Sequence, residues 1–356
     1  MRGLNGLRKW DSDMSIKKKY SKPFGDLNSL KTSFFNNNDG MLDMADDMAN
    51  VLLMQPKRMK CKICGATLGK PLFVSHRIGY IECPECGHLN SECCDTDDFA
   101  SKVYVEDDYS KNYSAADKEN YIRRRDMIYI PKAEYLRDCL KHEGLDANDV
   151  SILDIGAGCG YFVSAVRSLG MTASGIDVSE GEVTYGNAMT EESWLTHVGL
   201  TDSIDYIRRS SANVLSAIGV LEHLVHLDEN LDAIKENSNI RYVFASVPMF
   251  SFSSCFEVAF ANGYNRHTGG THTHLFTDES VERMAEHMGF EIAYEWRFGS
   301  DINDLYRFLM VSMQKNNNEE FSQYFSEKFI PLMDDLQQVI DRSEFSSELH
   351  FILRRK

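Results

Sequence analysis

The sequence predicts an α/β protein: a doubly wound, seven-stranded, mostly parallel sheet with a small cysteine-bearing unit in front of it. Three observations carry this expectation. The apolar run Ser151-Ile152-Leu153-Asp154-Ile155 ends in glycines at alternate positions, Gly156, Gly158 and Gly160, and opens into a helical stretch. Downstream, strand-like apolar runs alternate with segments of helical spacing, the pattern that lays a parallel sheet between two helical layers. Upstream, Cys61-Lys62-Ile63-Cys64-Gly65 and Cys83-Pro84-Glu85-Cys86-Gly87 repeat one turn, with 18 residues between Cys64 and Cys83.

Residues 1–56 are rich in Lys, Asn, Asp and Ser and show little periodicity before Met41. They read as a loose leader closing in one short amphipathic helix, with Met41, Met44, Met48, Val51 and Leu52 at helical spacing. Within it, Lys17-Lys18-Lys19 reads as a solvated face. Residues 57–100 form the cysteine unit. Two residues between thiolates let successive N–H groups point at sulfur, the glycine relieves the turn, and two knuckles complete a tetrahedral shell for Zn2+. Cys61, Cys64, Cys83 and Cys86 are the expected ligands. A unit this small buries little core, so the ion supplies the folding energy, on the order of 10 kcal/mol. Four thiolates close the shell, which makes the ion structural, as in a zinc ribbon. Cys93, Cys94, Cys139, Cys159 and Cys255 read as small buried or neutral residues.

Residues 101–356 form the main domain. Tyr104, Tyr109, Tyr113 and Tyr121 precede a helix that runs through Ile128 and Leu140 and stops at Gly144. The first strand ends at Asp154 and the second at Asp177, 17 residues beyond Gly160. A helix to about Thr190, a short strand near 195–200 and a fourth strand over 213–219 follow, with Glu222-His223 directly behind. The fifth strand, 241–247, stops at Pro248. Thr277 caps a helix to Met288, but Ser280 stands where a full capping box takes Glu or Gln, so half of that motif is expected. A sixth strand over 291–297, a helical insertion at about 300–342 bent at Pro331, and a seventh strand over 349–353 complete the chain.

The glycines let a ligand approach main-chain N–H groups where any Cβ would collide, and an acid at the tip of the neighbouring strand suits a ribose diol. A dinucleotide loop runs G-x-G-x-x-G, whereas this one runs G-x-G-x-G with an acid two residues ahead. The pattern resembles class I S-adenosylmethionine (AdoMet) methyltransferases, which have a Rossmann-like sheet, and the resemblance covers about 102–356. It implies that Asp154, Gly156, Ala157, Gly158, Gly160, Asp177, Val178 and Gly219 bind the cofactor. It also implies that Glu222-His223 lies beside the transferred methyl group, with His223 as general base and Glu222 orienting it or touching substrate; capping by Glu222 and packing by His223 remain open. Members that hold a catalytic divalent ion use Glu-x-x-Glu-His plus a distant His. Gly219 stands where the first Glu would be, so no catalytic ion is implied.

Candidate substrate contacts are Tyr109 and Tyr113, which the resemblance lays over the cofactor, and Arg266, His267, His272 and His274 in the polar loop after the fifth strand. Arg266 suits a phosphate or carboxylate; His274 also reads as structural. A two-knuckle cysteine unit joined to this fold is similar to sugar methyltransferases, which implies a nucleotide-linked sugar or glycan precursor as acceptor and a place in carbohydrate biosynthesis. The formal charge of −16 disfavours nucleic acid as partner. With no apolar stretch near the roughly 20 residues a bilayer requires and no signal-peptide core, a cytoplasmic enzyme is expected. An RNA-modifying methyltransferase and a non-catalytic AdoMet-binding scaffold are the rival readings, and the oligomeric state is not legible.

Overall fold

The computed structural model describes residues 16–22, 37–105, 117–260, 262–269 and 272–356. In chain order, β1 (Lys17–Tyr20) and α1 (Asn38–Leu53) come first, then the cysteine unit with β2 (Phe73–Ser75), β3 (Ile78–Glu82) and β4 (Leu89–Ser91). Next come α2 (Asp97–Ala100), continued by a π-helical turn to Val105, then α3 (Lys118–Arg124) and α4 (Ile130–His142). The sheet domain proceeds through β5 (Ser151–Ile155), α5 (Tyr161–Ser168), β6 (Thr172–Asp177), α6 (Glu180–Thr190), β7 (Leu195–His197), α7 (Asp202–Arg209), β8 (Val214–Ile218), α8 (Leu227–Glu236) and β9 (Tyr242–Pro248). It ends with α9 (Phe252–Ala259), β10 (His274–Leu275), α10 (Asp278–Met288), β11 (Phe290–Phe298), α11 (Asp301–Lys315), α12 (Glu319–Phe329), α13 (Met333–Arg342) and β12 (Glu348–Arg355).

The large sheet has the order β1-β11-β12-β9-β8-β5-β6-β7. Its pairs are parallel except at β12, which runs antiparallel to both neighbours. Seven strands are those the periodicity predicts; β1 makes an eighth. The lysine run does not read as a strand, yet β1 pairs with β11 from Lys17↔Tyr294 to Tyr20↔Arg297. Its charges find local partners: the Lys19 ammonium lies 3.7 Å from the Trp296 ring centre and Lys18 Nζ lies 2.7 Å from Glu344. Edge lysines are a common way to use a strand that no further strand will cover.

Helices cover both faces because the central strands are apolar along nearly their whole length; β9 is buried at every residue. On one face Ile204, Leu231, Ile234, Val281 and Met284 of α7, α8 and α10 pack on Leu215, Val243 and Phe351. On the other, Leu136 and Leu140 of α4 and Phe162 and Val166 of α5 pack on Ile152, Phe244 and Ile352. The order of strands reverses beside β5, and ligands of doubly wound sheets bind at that crevice, outside the carboxyl ends of the strands.

The second sheet is antiparallel, in the order β10-β4-β3-β2, so the main domain lends the cysteine unit its fourth strand. A core of Leu52, Ile78, Tyr80, Leu89, Phe99, Val103 and Leu275 binds the two parts. In α1 the buried stripe is Ala45, Ala49 and Leu52, whereas Met44 is exposed: small alanines let the helix approach closely, and the methionines flank that contact.

Candidate active site

The turn after β5 holds Gly156, Gly158 and Gly160 at φ of 60°, 52° and 71°, the left-handed region that side chains resist. A Cβ built on Gly156 would lie 2.6 Å from Val220 Cγ2, so this backbone passes against the β8 loop as well. Parallel pairing of β5 with β6 sets Ile155 opposite Ile176, which places Asp177 beside the turn. Its Oδ2 accepts from the Gly158 N–H at 2.7 Å and its Oδ1 from the Ser179 N–H at 2.8 Å. Burial nevertheless raises its carboxyl above the ordinary value, against these hydrogen bonds.

Asp154 is buried beneath the turn and accepts a hydrogen bond from Ser216 Oγ at 2.6 Å. Burial pushes its carboxyl up to about 7. Glu182, on the first turn of α6, is likewise pushed to about 7 by burial and by the neighbouring Asp177. Three acids thus face a cavity of about 500 Å3 that Asp154, Gly156, Ala157, Gly158, Asp177, Val178 and Gly219 line. Gly160 does not line it; it starts α5. The cradle fits a nucleoside: N–H groups and carboxylates at one end, and Tyr129, Tyr161 and Phe162 along the wall.

Beyond β8, Gly219 at φ 68° turns the chain into a short 3-10 turn, Leu221–His223. Glu222 is 3% exposed and its Oε2 has no hydrogen-bond partner. Burial pushes its carboxyl up to about 8. His223 Nδ1 lies 2.9 Å from Tyr104 Oη, and its Nε2 lies 3.8 Å from Glu222 Oε1. The His272 ring stands 5.1 Å from that of His223. Lys132 and Glu348 add a pair at 3.5 Å on the same cavity. Burial would raise Glu348, but Lys132 and His350 beside it carry it down to about 2.

The polar loop before β10 is organised by one buried acid. The N–H groups of Arg266, His267 and Thr268 all donate to the Glu257 carboxylate, at 2.7, 2.8 and 2.9 Å. Arg266 reaches the cavity wall, but its fork is engaged by Asp304, Nη2 at 3.0 Å and Nε at 3.3 Å. His267 and His272 line the cavity. His274 does not: it is fully buried, with its Nδ1 2.9 Å from His88 Nε2 at the seam with the cysteine unit. Tyr109 and Tyr113 lie outside the described residues. Tyr104, Lys132, Glu182 and Glu348 are the site residues that spacing does not single out. Tyr104 belongs to the tyrosine-rich stretch 104–121, the one hint the sequence offers; a lone Lys on a helix offers none.

Each cysteine knuckle closes on itself, Gly65 N–H to Cys61 O and Gly87 N–H to Cys83 O, both at 3.0 Å. The four Sγ atoms lie within 4.8 Å of one another, with Cys61 and Cys86 at 3.7 Å and Cys64 and Cys83 at 3.4 Å. Thiolates around a tetrahedral zinc ion, with bonds of about 2.3 Å, stand about 3.8 Å apart, so the set fits such an ion. The neighbouring helix is capped against it. Thr277 Oγ1 donates to Cys86 O at 3.1 Å, while Ser280 Oγ accepts from the Thr277 N–H and Thr277 Oγ1 from the Ser280 N–H, so Ser280 completes the box that its short side chain does not suggest.

A family model described as a methyltransferase domain matches residues 112–295. No curated protein matches the chain. Among solved structures, the chain is similar to magnesium protoporphyrin IX methyltransferase from Synechocystis PCC 6803 with bound SAH, at 12% identity and TM-score 0.40, over 64% of this chain and 83% of that one. It is similar to a SAM dependent methyltransferase from Archaeoglobus fulgidus, at 15% identity and TM-score 0.39, over 63% and 94%. A third is phosphoethanolamine N-methyltransferase 2 from Haemonchus contortus, at 17% identity and TM-score 0.38, over 61% and 51%. No helix of the described residues is long and apolar enough to cross a membrane.

Proposed function

Since the chain belongs to the methyltransferase-domain family, we propose that it moves the methyl group of AdoMet onto a hydroxyl or an acidic carbon of a small or carrier-linked acceptor, a nucleotide-linked sugar or glycan precursor. The observation that supports this most is one cavity lined both by the glycine turn with its acids and by the Glu222–His223 turn with Lys132, Glu348 and His272. Gly156, Gly158, Asp154 and Asp177 would hold the cofactor at the glycine turn, with Asp177 on its ribose and the N–H groups of the turn along its length. Bound there, AdoMet supplies an electrophilic methyl group on a sulfonium.

At the other turn the Glu222–His223 pair takes up the acceptor's proton. Glu222 is a buried carboxylate oxygen without a partner, and His223 is oriented by Tyr104; alignment of reactants in such a pocket is worth roughly 7 to 11 kcal/mol. Lys132, Glu348, His267 and His272 give the acceptor end both donors and acceptors, which suits a polyhydroxyl molecule. With Arg266 spent on Asp304, a phosphate of the acceptor lies away from the transfer point. The cysteine unit holds a structural Zn2+ and, by pairing β4 with β10, anchors the loop whose His272 lines the cavity. Incubating the protein with AdoMet and a panel of nucleotide-linked sugars, and following a mass gain of one methyl group, tests the reading; calorimetry without heat on AdoMet addition would remove its basis.

A further inference from the structure

The helical insertion carries more apolar surface than its own fold covers. From α12 the backbone stays helical through a 3-10 turn, Ile330–Leu332, into α13, and both helices lie on α11. On their inner side Phe325, Phe329 and Met333 pack with Ile302 and Tyr306, and Gln337 donates to Asp301 at 3.1 Å. Beside that stripe runs a second one, Phe321, Tyr324, Lys328, Leu332, Leu336 and Val339. Spacings of 3 or 4 residues keep side chains on one side of a helical path. The five apolar members are exposed, and with Ile330 they make six of the fifteen exposed large apolar side chains among the described residues. The Phe321 and Tyr324 rings stack with centres 6.1 Å apart, and Lys328 Nζ lies 5.7 Å from the Tyr324 ring centre, so this surface is ordered in the single chain. A helix whose apolar arc exceeds what its core covers calls for a second cover.

We propose that the outer stripe is covered by a second copy of this chain, α13 of one copy lying antiparallel on α13 of the other about a two-fold axis beside Val339. The charges on that helix complement themselves. Asp335 stands in its first turn and Arg342 in its last, both exposed, and their separation of 7 residues is about two turns, which puts them on one side. An axis midway between them sets Asp335 of each copy opposite Arg342 of the other and brings Leu336 and Val339 of both copies together. The antiparallel arrangement also opposes the two helix dipoles. A two-fold contact uses one patch twice, so the patch must match itself, and this one does. Its size fits as well. With exposures from 40% at Leu336 to 64% at Val339, the six side chains present on the order of 600 Å2, most of the roughly 800 Å2 that each partner of a standard interface buries. Described residues of α12 and α13 do not line the cofactor cavity, so the contact is separate from the transfer chemistry.

Sedimentation of the full chain, with zinc on its cysteines, at about 1 to 100 μM tests this, because interfaces of standard size bind with micromolar Kd or tighter. A dimer is expected. Val339→Asp, which brings two carboxylates together at the axis, should weaken it at least about tenfold. Asp335→Arg and Arg342→Asp should each weaken it by about tenfold as well, since each sets like charges opposite one another. An equimolar mixture of those two variants should recover the dimer, because every charge then meets its opposite. Zinc content and the thermal transition confirm that the variants, all at exposed positions, are folded. A chain that stays monomeric up to about 100 μM, whatever other protein it captures, overturns the proposal. So does a dimer that folded Val339→Asp shares unchanged, or a mixture of the two charge variants that associates no better than either alone.

Discussion

Replacing Gly156 with Ala probes the turn on which the cofactor reading stands. Its φ of 60° places a non-glycine residue in the left-handed region, at a cost of about 1 to 2 kcal/mol. The new methyl group would lie 2.6 and 2.8 Å from the two Cγ atoms of Val220, and such overpacking costs about 1 to 3 kcal/mol. A loss of about 2 to 5 kcal/mol in unfolding free energy follows. Val220 is 8% exposed, so Val220→Ala alone costs about 1 to 3 kcal/mol. In the double variant the methyl enters the space that Val220 leaves, the clash disappears and only the backbone strain remains. Denaturant unfolding of the four proteins therefore should give a coupling energy of at least about 1 kcal/mol that favours the double variant. Additivity within about 0.5 kcal/mol would refute the close approach of this turn to the β8 loop.

His223→Ala should lower turnover by roughly 100-fold or more with AdoMet affinity nearly intact, measured by single-turnover kinetics and calorimetry; an unchanged rate removes the imidazole from the reaction. AdoMet should bind more tightly as pH rises from 6 to 8, because burial holds Asp154 and Glu182 at about 7 and the cationic cofactor favours their ionised forms. By the same linkage, a carboxyl raised in the folded state stabilises below its unfolded pKa of about 4 and loses that contribution as pH climbs through 7. The cofactor-free protein should thus lose stability across that window, and Asp154→Asn should flatten both profiles; pH-independent binding counts against the placement of these acids. Cys83→Ser should release the zinc and expose residues 57–93 to limited proteolysis, since a small unit owes on the order of 10 kcal/mol of its folding to the ion; metal analysis with protease mapping checks it, and a protected, zinc-free unit contradicts it.

The parts of this protein that are written locally could be read from the chain. Positive φ at Gly156, Gly158 and Gly160 is a one-residue property, the knuckles close within five residues, and apolar periodicity marks a strand or helix without reference to the rest of the fold. The order of the acids at the ends of β5 and β6 follows, because parallel strands joined by a short helix pair in a nearly forced register. Ser280 escaped because a capping partner is judged by reach, and its hydroxyl reaches the Thr277 N–H at 2.9 Å only in the bent geometry of that turn. The strand Lys17–Tyr20 escaped because three lysines carry no apolar alternation; Trp296, Tyr294 and Glu344, which receive them, lie far along the chain.

What only the tertiary structure decided is the company of the Glu222–His223 turn. Tyr104, His223 and His272 belong to three different segments, Arg266 is diverted by Asp304, and His274 is drawn into the seam with His88. No spacing rule specifies such meetings, because they depend on how the cysteine unit docks on the sheet and on which buried charge each polar group finds first. Short-range turn geometry and periodicity therefore settled the glycine turn and the cysteine knuckles, while long-range packing settled which side chains meet in the rest of the cavity.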